Sequence, residues 1–444
     1  MLKDKRREII QYVKDHRKFV MHNHEVLDIY EGNLLQYVNR CMQSSLSPQY
    51  YNAIKDRILP INVLKRFIDK VSTTYSKAPQ RISDNAQEFI DFYANELDLN
   101  VSGGIADTYS NLFKGYAWEP YINKAGKPAL RELSFDKFLV MSDSAVNPEE
   151  ETIFIKFMGK KSNDEDSLLL HVYTNDEFDA FYLNGAEASE YLVENQGINV
   201  VGRIPFVYGK RQKNKLIPTL DTDILSFAKA IPIMLSDAAG AQMFQCFSIL
   251  WTIDVDLVDL KMSPNAIWDL KSDKQSDKTP QVGTVKPEAD TEKVVSFVVN
   301  MFVLWLETKG VRVGSIGSID SGNVASGISK IIDEMDVWEI KKKSQAWFKK
   351  DEEELLNELM PLMHRYWIDS GMIDPGYLPA LAEDPMCTVT FEEPTPMLSR
   401  AERLSNTEKE LSMGTMTLGQ AIEELHPDYT EDQIAEVISN RVLL

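Results

Sequence analysis

The chain has 444 residues, 43% of them hydrophobic and 26% charged, which supplies two or three domains with a core and excludes global disorder. Acidic residues outnumber basic ones by 68 to 48, for a net charge of −20 and an isoelectric point near 4.8. That sign excludes a protein that grips nucleic acid by neutralising phosphates, which needs clustered Lys and Arg; it suits any acidic soluble protein, including one past which DNA slides.

Residues 1–7 are charged and no apolar run follows, so no secretory signal is expected. Residues 1–80 read as helices separated by short breaks. Pro60 opens one at 61–75, where Ile61, Leu64, Ile68 and Val71 recur at helical spacing. Asp84 and Gln87 resemble a capping box for a helix reaching about residue 97. From Asp107 the pattern changes to short strands, at 117–122, 138–141, 152–158, 168–174 and 178–183, with turns at 123–127 and 160–166. This is an antiparallel α+β module.

Residues 223–250 read as a helix that Pro232 and Gly240 can kink. Strand candidates follow at 250–257, 266–270 and 282–285, with a polar turn at 271–280. Residues 291–309 form a helix apolar on nearly all sides: Val294, Val298, Phe302 and Leu306 make one row, Val295, Val299 and Val303 the next, and Phe297, Met301 and Leu304 most of the rest. Such a helix must be covered by several neighbours. Its apolar run is too short to span a bilayer and carries Ser296 and Asn300. A soluble protein made in the cytoplasm is expected.

Gly310, Gly314, Gly317 and Gly322 punctuate the next loop. A long helix then runs over 326–360, with Ile328, Ile331, Met335, Trp338 and Ala346 on its apolar stripe. Lys341 to Lys343, Lys349 and Lys350 alternate with Glu339 and the acids 351–354, the pattern of an exposed, salt-bridged face. Residues 385–396 read as strand and linker. Three capping boxes close the chain: Ser399 with Glu402, Thr417 with Gln420, and Thr430 with Gln433. The fold class expected is α+β, helix-rich.

Chemistry is sparse. His22, Asn23 and His24 are adjacent in a helical region, where three neighbours cannot converge on one ion. Asp254 and Asp256 share one strand face without a third ligand and read as a solvated edge. Asp221 and Asp223 read as a helix cap, and His364 as a packed or surface residue. The glycines of 310–325 spell neither a Walker loop nor a dinucleotide fingerprint. Cys41, Cys246 and Cys387 are odd in number and far apart, so neither a disulfide framework nor a metal knuckle is indicated. No catalytic residue, metal or cofactor is implied.

The order of elements, together with several stretches, resembles the portal proteins of tailed double-stranded DNA phages. Arg57-Ile-Leu-Pro-Ile-Asn-Val-Leu-Lys-Arg-Phe-Ile-Asp-Lys-Val and Tyr75-Ser-Lys-Ala-Pro-Gln-Arg81 are similar to the early portal helix and its Y-x-x-x-P exit. Val324-Ala-Ser-Gly-Ile-Ser-Lys330 is similar to the SG-x-A element that opens the long helix, with Ser329 in place of the usual alanine. Met413-Gly-Thr-Met-Thr-Leu-Gly-Gln-Ala-Ile422, with Pro427, Glu431 and Asp432, is similar to the family's C-terminal pattern.

The resemblance implies a wing over 1–220, a stem helix at 221–250, a clip at 251–289, a second stem helix at 290–310, a tunnel loop at 311–325, a return to the wing at 326–384 and a helical crown at 385–444. It implies a ring of about twelve subunits at a capsid vertex of the virion, passing double-stranded DNA without sequence specificity. The large terminase subunit would dock first and a head–tail adaptor later, alongside capsid and scaffolding proteins, with no membrane involved. Arg312, Gly314, Ser315, Gly317, Asp320, Gly322 and Asn323 would line the tunnel; Arg312 and Lys330 are candidate phosphate contacts, unless they form surface ion pairs. Lys271, Asp273, Lys274, Asp277 and Lys278 would face the docking partners. A head–tail adaptor or minor capsid protein is the alternative, discriminated by the absence of a stem pair. A metal-dependent nuclease is a third reading, which would depend on His22 or His24.

Overall fold

The computed structural model describes residues 2–160, 165–191, 197–246, 249–253, 281–285, 291–312, 327–382, 384–392, 400–425, 433, 434 and 438. Helix makes up 56% and strand 16%, the helix-rich α+β composition expected.

Five helices open the chain: α1 (Leu2–Asp15), α2 (Arg17–Asp28), α3 (Leu34–Ser45), α4 (Pro48–Ile54) and α5 (Val63–Val71). A π-helical turn, Ile29–Asn33, joins α2 to α3 and bends at Gly32, whose φ of 116° only glycine takes readily. The helix expected from residue 61 begins at Val63. There the Asn62 side chain caps it, accepting the Lys65 N–H at 3.0 Å. Leu64, Phe67, Ile68 and Val71 form its buried stripe, and Ile61 lies outside it, exposed.

Strand β1 (Gln80–Ser83) leads to α6 (Gln87–Glu96) and α7 (Leu99–Phe113). The capping pair shifts by one residue: Gln87 Oε1 accepts the Ser83 N–H at 2.8 Å and Ser83 Oγ accepts the Ala86 N–H at 3.2 Å, so Ser83 replaces Asp84. Helix α7 runs through Asp107, where the sequence pattern suggests strands, and ends at Phe113.

Seven strands follow: β2 (Gly115–Ile122), β3 (Pro128–Leu133), β4 (Phe138–Met141), β5 (Ile153–Lys160), β6 (Leu168–Tyr173), β7 (Phe178–Tyr182) and β8 (Val207–Lys210). They form two antiparallel sheets, ordered β3-β2-β8 and β4-β5-β6-β7. The five strands expected are present, and β3 and β8 are added. The turn before β3 is set by Asn123, whose Oδ1 accepts the N–H of Ala125 and of Lys127 at 2.8 and 3.1 Å. A row of rings, Phe135, Phe138, Phe154 and Phe206, stacks with centroids 4.8, 5.0 and 4.0 Å apart. That row joins the strands to the core of the first five helices.

The second half comprises α8 (Thr222–Cys246), β9 (Ile249–Ile253), β10 (Gln281–Val285), α9 (Thr291–Thr308), α10 (Gly327–Glu354), α11 (Met360–Asp369), β11 (Cys387–Thr390), α12 (Arg400–Met413) and α13 (Leu418–Leu425). The long helix expected to stop near 360 continues through a π-helical turn, Leu355–Leu359, into α11. The π turn falls just before Pro361, which lacks an N–H to offer the preceding turn. The expected apolar stripe is misplaced, since Met335 and Ala346 are exposed. The buried row instead follows Val337, Ser344, Phe348, Asp351, Leu355 and Leu359, at the three-, four- and seven-residue spacings of one helix face. With α6, α7, β2 and α11 it builds a second core.

Strand β11, expected within 385–396, pairs antiparallel with β1 and so returns the chain to the N-terminal half. The box at Thr417 forms as expected: Gln420 Oε1 accepts the Thr417 N–H at 3.0 Å. Ser399 and Thr430, the heads of the other two boxes, lie outside the described residues.

Candidate assembly surface

Helix α8 packs against α3, α5 and α9, and a two-stranded antiparallel unit of β9 and β10 separates it from α9 along the chain. The two helices run antiparallel, because the end of α9 meets the start of α8. Lys309 Nζ lies 2.8 Å from both Asp221 carboxylate oxygens and 2.9 Å from Asp223 Oδ1. Asp221 and Asp223, expected as a helix cap, therefore serve as the clamp that receives this ammonium. Desolvation alone would raise the Asp223 carboxyl, but its hydrogen bonds, Lys309 among them, hold it at about 2.

Trp305 anchors α9 to the body. Its ring is buried, stacks on Phe227 of α8 at 5.2 Å and meets Phe67 of α5 edge-on at 5.0 Å. Further along α8, Ser236 Oγ donates to the Pro232 carbonyl at 2.6 Å and accepts the Leu59 N–H at 2.9 Å. A serine one turn after the proline thus fastens the helix to the segment before α5.

The rest of α9 departs from expectation. Val298, Trp305 and Leu306 are buried, but Val294, Val295, Phe297, Met301 and Leu304 are 37–56% exposed. Phe297, Met301 and Leu304, at the four- and three-residue spacings of one helix face, form an open apolar stripe, and Val294 and Val295 stand exposed in the first turn. Scattered exposed apolar residues are ordinary on a protein surface, whereas a contiguous set on one helix marks an interaction surface.

Of the residues expected in the tunnel, Arg312 is described: its Nε lies 3.2 Å from Asp336 Oδ2 of α10, an ion pair at the protein surface. Gly314, Ser315, Gly317, Asp320, Gly322 and Asn323 lie outside the described residues, as do the docking residues Lys271, Asp273, Lys274, Asp277 and Lys278 and the strand candidate at 266–270. Lys330 falls in the first turns of α10. Asp254 and Asp256 are likewise outside the described residues.

A buried charge cluster sits where α10 crosses β2 and β8, and the sequence reading misses it by treating the acids 351–354 as a solvated face. Asp351 and Glu352 are buried. Arg81 grips Glu352 through Nε at 2.6 Å and Nη2 at 3.1 Å, and Tyr75 Oη donates to it at 2.6 Å. Arg211 reaches Asp107 at 3.4 Å and lies over the Phe348 ring. Tyr116 Oη donates to Asp351 Oδ2 at 2.8 Å. Their partners come from segments more than 130 residues away, so spacing along the helix cannot reveal them. The exposed-face reading holds for Glu339 with Lys343, at 2.8 Å.

His24 meets Asp136 at 3.3 Å, while Asn23 between it and His22 is buried, so the three residues face different surroundings. His364 is packed: its Nδ1 lies 2.8 Å from Tyr93 Oη. Cys41 and Cys387 are free thiols. A cavity of about 490 Å³ lies between β5, the segment before β8 and α11. Its charged groups are consumed by one another, Arg203 with Glu354 and Glu358, and Lys210 with Glu151. Among the described residues no cluster of His, Cys, Asp and Glu could hold a metal ion, and no helix is long and apolar enough to cross a membrane. No protein-family model matches the sequence, and neither does any curated protein.

Proposed function

We propose that this chain is the subunit of a portal-type ring at the capsid vertex of a tailed phage. The ring conducts double-stranded DNA in and out, while a separate terminase hydrolyses ATP. The observation that carries the reading is the uncovered apolar stripe Phe297, Met301 and Leu304 on α9, in an antiparallel helix pair with a strand unit between its helices. In a closed ring each subunit meets its neighbours through two different surfaces, so a helix covered on one side within its own subunit is covered on the other by the next. The antiparallel α8–α9 pair with strands at its far end also has the order expected of two stem helices and a clip, the part that meets the large terminase subunit and then a head–tail adaptor.

The charge supports the same reading. Twelve copies of a chain at −20 sum to about −240, which repels phosphates and keeps DNA from sticking to the channel. Arg312, paired with Asp336, then contributes little phosphate attraction of its own.

Negative-stain electron microscopy of the purified full chain tests the reading. Rings of about twelve subunits with a central hole are expected. Particles of one or two subunits under every salt and concentration condition would count against it.

A further inference from the structure

The buried cluster beneath α10 contains three carboxylates, Asp107, Asp351 and Glu352, and two guanidiniums, Arg81 and Arg211. Each guanidinium is committed: Arg81 to Glu352 at 2.6 Å, and Arg211 to Asp107 at 3.4 Å. Asp351 is left with a phenol, Tyr116 Oη at 2.8 Å. A phenol is a neutral donor, and a buried carboxylate without a cationic partner is costly enough that it keeps its proton instead. The backbone of β8 packs closely on this pair: a Cβ placed on Gly209 would fall 2.7 Å from Asp351 Oδ2 and 2.4 Å from the Tyr116 ring.

We propose that Asp351 is a proton-operated latch: protonated, it seats α10 against β2 and β8, and loss of its proton loosens that seat. The proposal does not depend on the ring reading.

The groups facing Asp351 act from several elements. Tyr116 comes from β2, and Arg211, just past β8, favours the charged form. Tyr75, on the turn before β1, adds a second phenol coupled to it. On α10 itself Lys350 favours the charged form and Glu354 the neutral one. Burial outweighs them all and pushes the Asp351 carboxyl up to about 7. In an opened helix the same carboxyl titrates at the ordinary value of about 3.9. The closed state therefore binds one proton more than the open state between about pH 4 and 7, so closure weakens as pH rises through that window and levels off above it.

The test is hydrogen exchange across α10 of the full chain between pH 4.5 and 8, expressed as protection factors. For the wild type the opening equilibrium should rise by up to about tenfold per pH unit, then level near pH 7. Asp351→Asn, neutral at every pH, should lose most of that slope, and Glu354→Gln, which removes a carboxyl that burial also raises, should lose only the smaller part. A flat wild-type profile, or the wild-type slope surviving in Asp351→Asn, would overturn the proposal. Should Asp351→Asn not fold, the carboxyl ¹³C resonance of Asp351 in the wild type decides instead. A midpoint near 7 supports the latch, and a fully ionised carboxylate at pH 5 overturns it.

Discussion

More than half of helix α9 is valine, phenylalanine, leucine and methionine, yet it leaves Val294, Phe297 and Leu304 open to solvent. Helix α10 carries four consecutive acids, yet it buries two of them and docks on a second core. By composition alone α9 belongs inside and α10 outside. The difference teaches that the partner of a surface, not its hydrophobicity, decides what is covered within one chain. Helix α10 finds its partners at Arg81, Arg211, Tyr75 and Tyr116, whereas α9 buries Val298, Trp305 and Leu306 and leaves the stripe Phe297, Met301 and Leu304 open.

The comparison breaks most sharply at the buried anchors. Phe348→Ala in α10 and Trp305→Ala in α9 should each cost about 3–5 kcal/mol in urea unfolding, since each removes a large ring from packed surroundings. Comparable losses would mean that α9 is as firmly seated as α10 on its inner side, despite its open outer face. Arg81→Met should cost about 3 kcal/mol or more, because it strands the buried Glu352 carboxylate without its cation. A loss below about 1 kcal/mol would show the cluster to be solvated.

A pH series sharpens the contrast between the α10 seat and the strand module. Burial lowers His171 of β6 to about 4, with nearby Lys156 adding to the effect. His171 is neutral in the fold and takes up a proton below about 6.5 once unfolded. Its contribution is therefore present above pH 6.5 and lost as pH falls towards 4, by roughly 3 kcal/mol. His171→Leu should flatten this acid limb. The slope has the opposite sign to that of Asp351, so the sheet should loosen on acidification while the α10 seat tightens.

Smaller still, Lys309→Met should cost about 1 kcal/mol by opening the clamp between the ends of α8 and α9. Phe297→Ser should change unfolding of the monomeric chain by less than about 0.5 kcal/mol, because among the described residues half of that side chain is open to solvent.

Much of the architecture could be read from the chain. Strand β4 falls on the expected residues because a short run of Phe, Leu, Val and Met, buried throughout, has few other uses. The Thr417 box was legible because both partners lie within one turn. Helix α7 was not, because Gly103 and Gly104 lower its helical propensity. Gly103 is there for Tyr75, whose ring would lie 2.3 Å from any added Cβ. Strand β3 was hidden by Pro128 at its start and by the charged Arg131 and Glu132 along it. The stripe of α10 was placed on the wrong face because its true row includes Ser344 and Asp351, which no hydrophobic pattern selects. The open face of α9 was half legible: its apolarity stands in the sequence, but only the packed chain shows which side stays uncovered.

The most direct test of the account is the solution mass of the full chain beside a Phe297→Asp, Leu304→Asp double variant, measured by mass photometry across a range of salt concentrations. The account predicts assemblies of roughly 600 kDa for the wild type, about twelve copies of 50.6 kDa, and folded monomers for the variant. A wild type that stays at 50.6 kDa, or a variant that assembles as the wild type does, would contradict it.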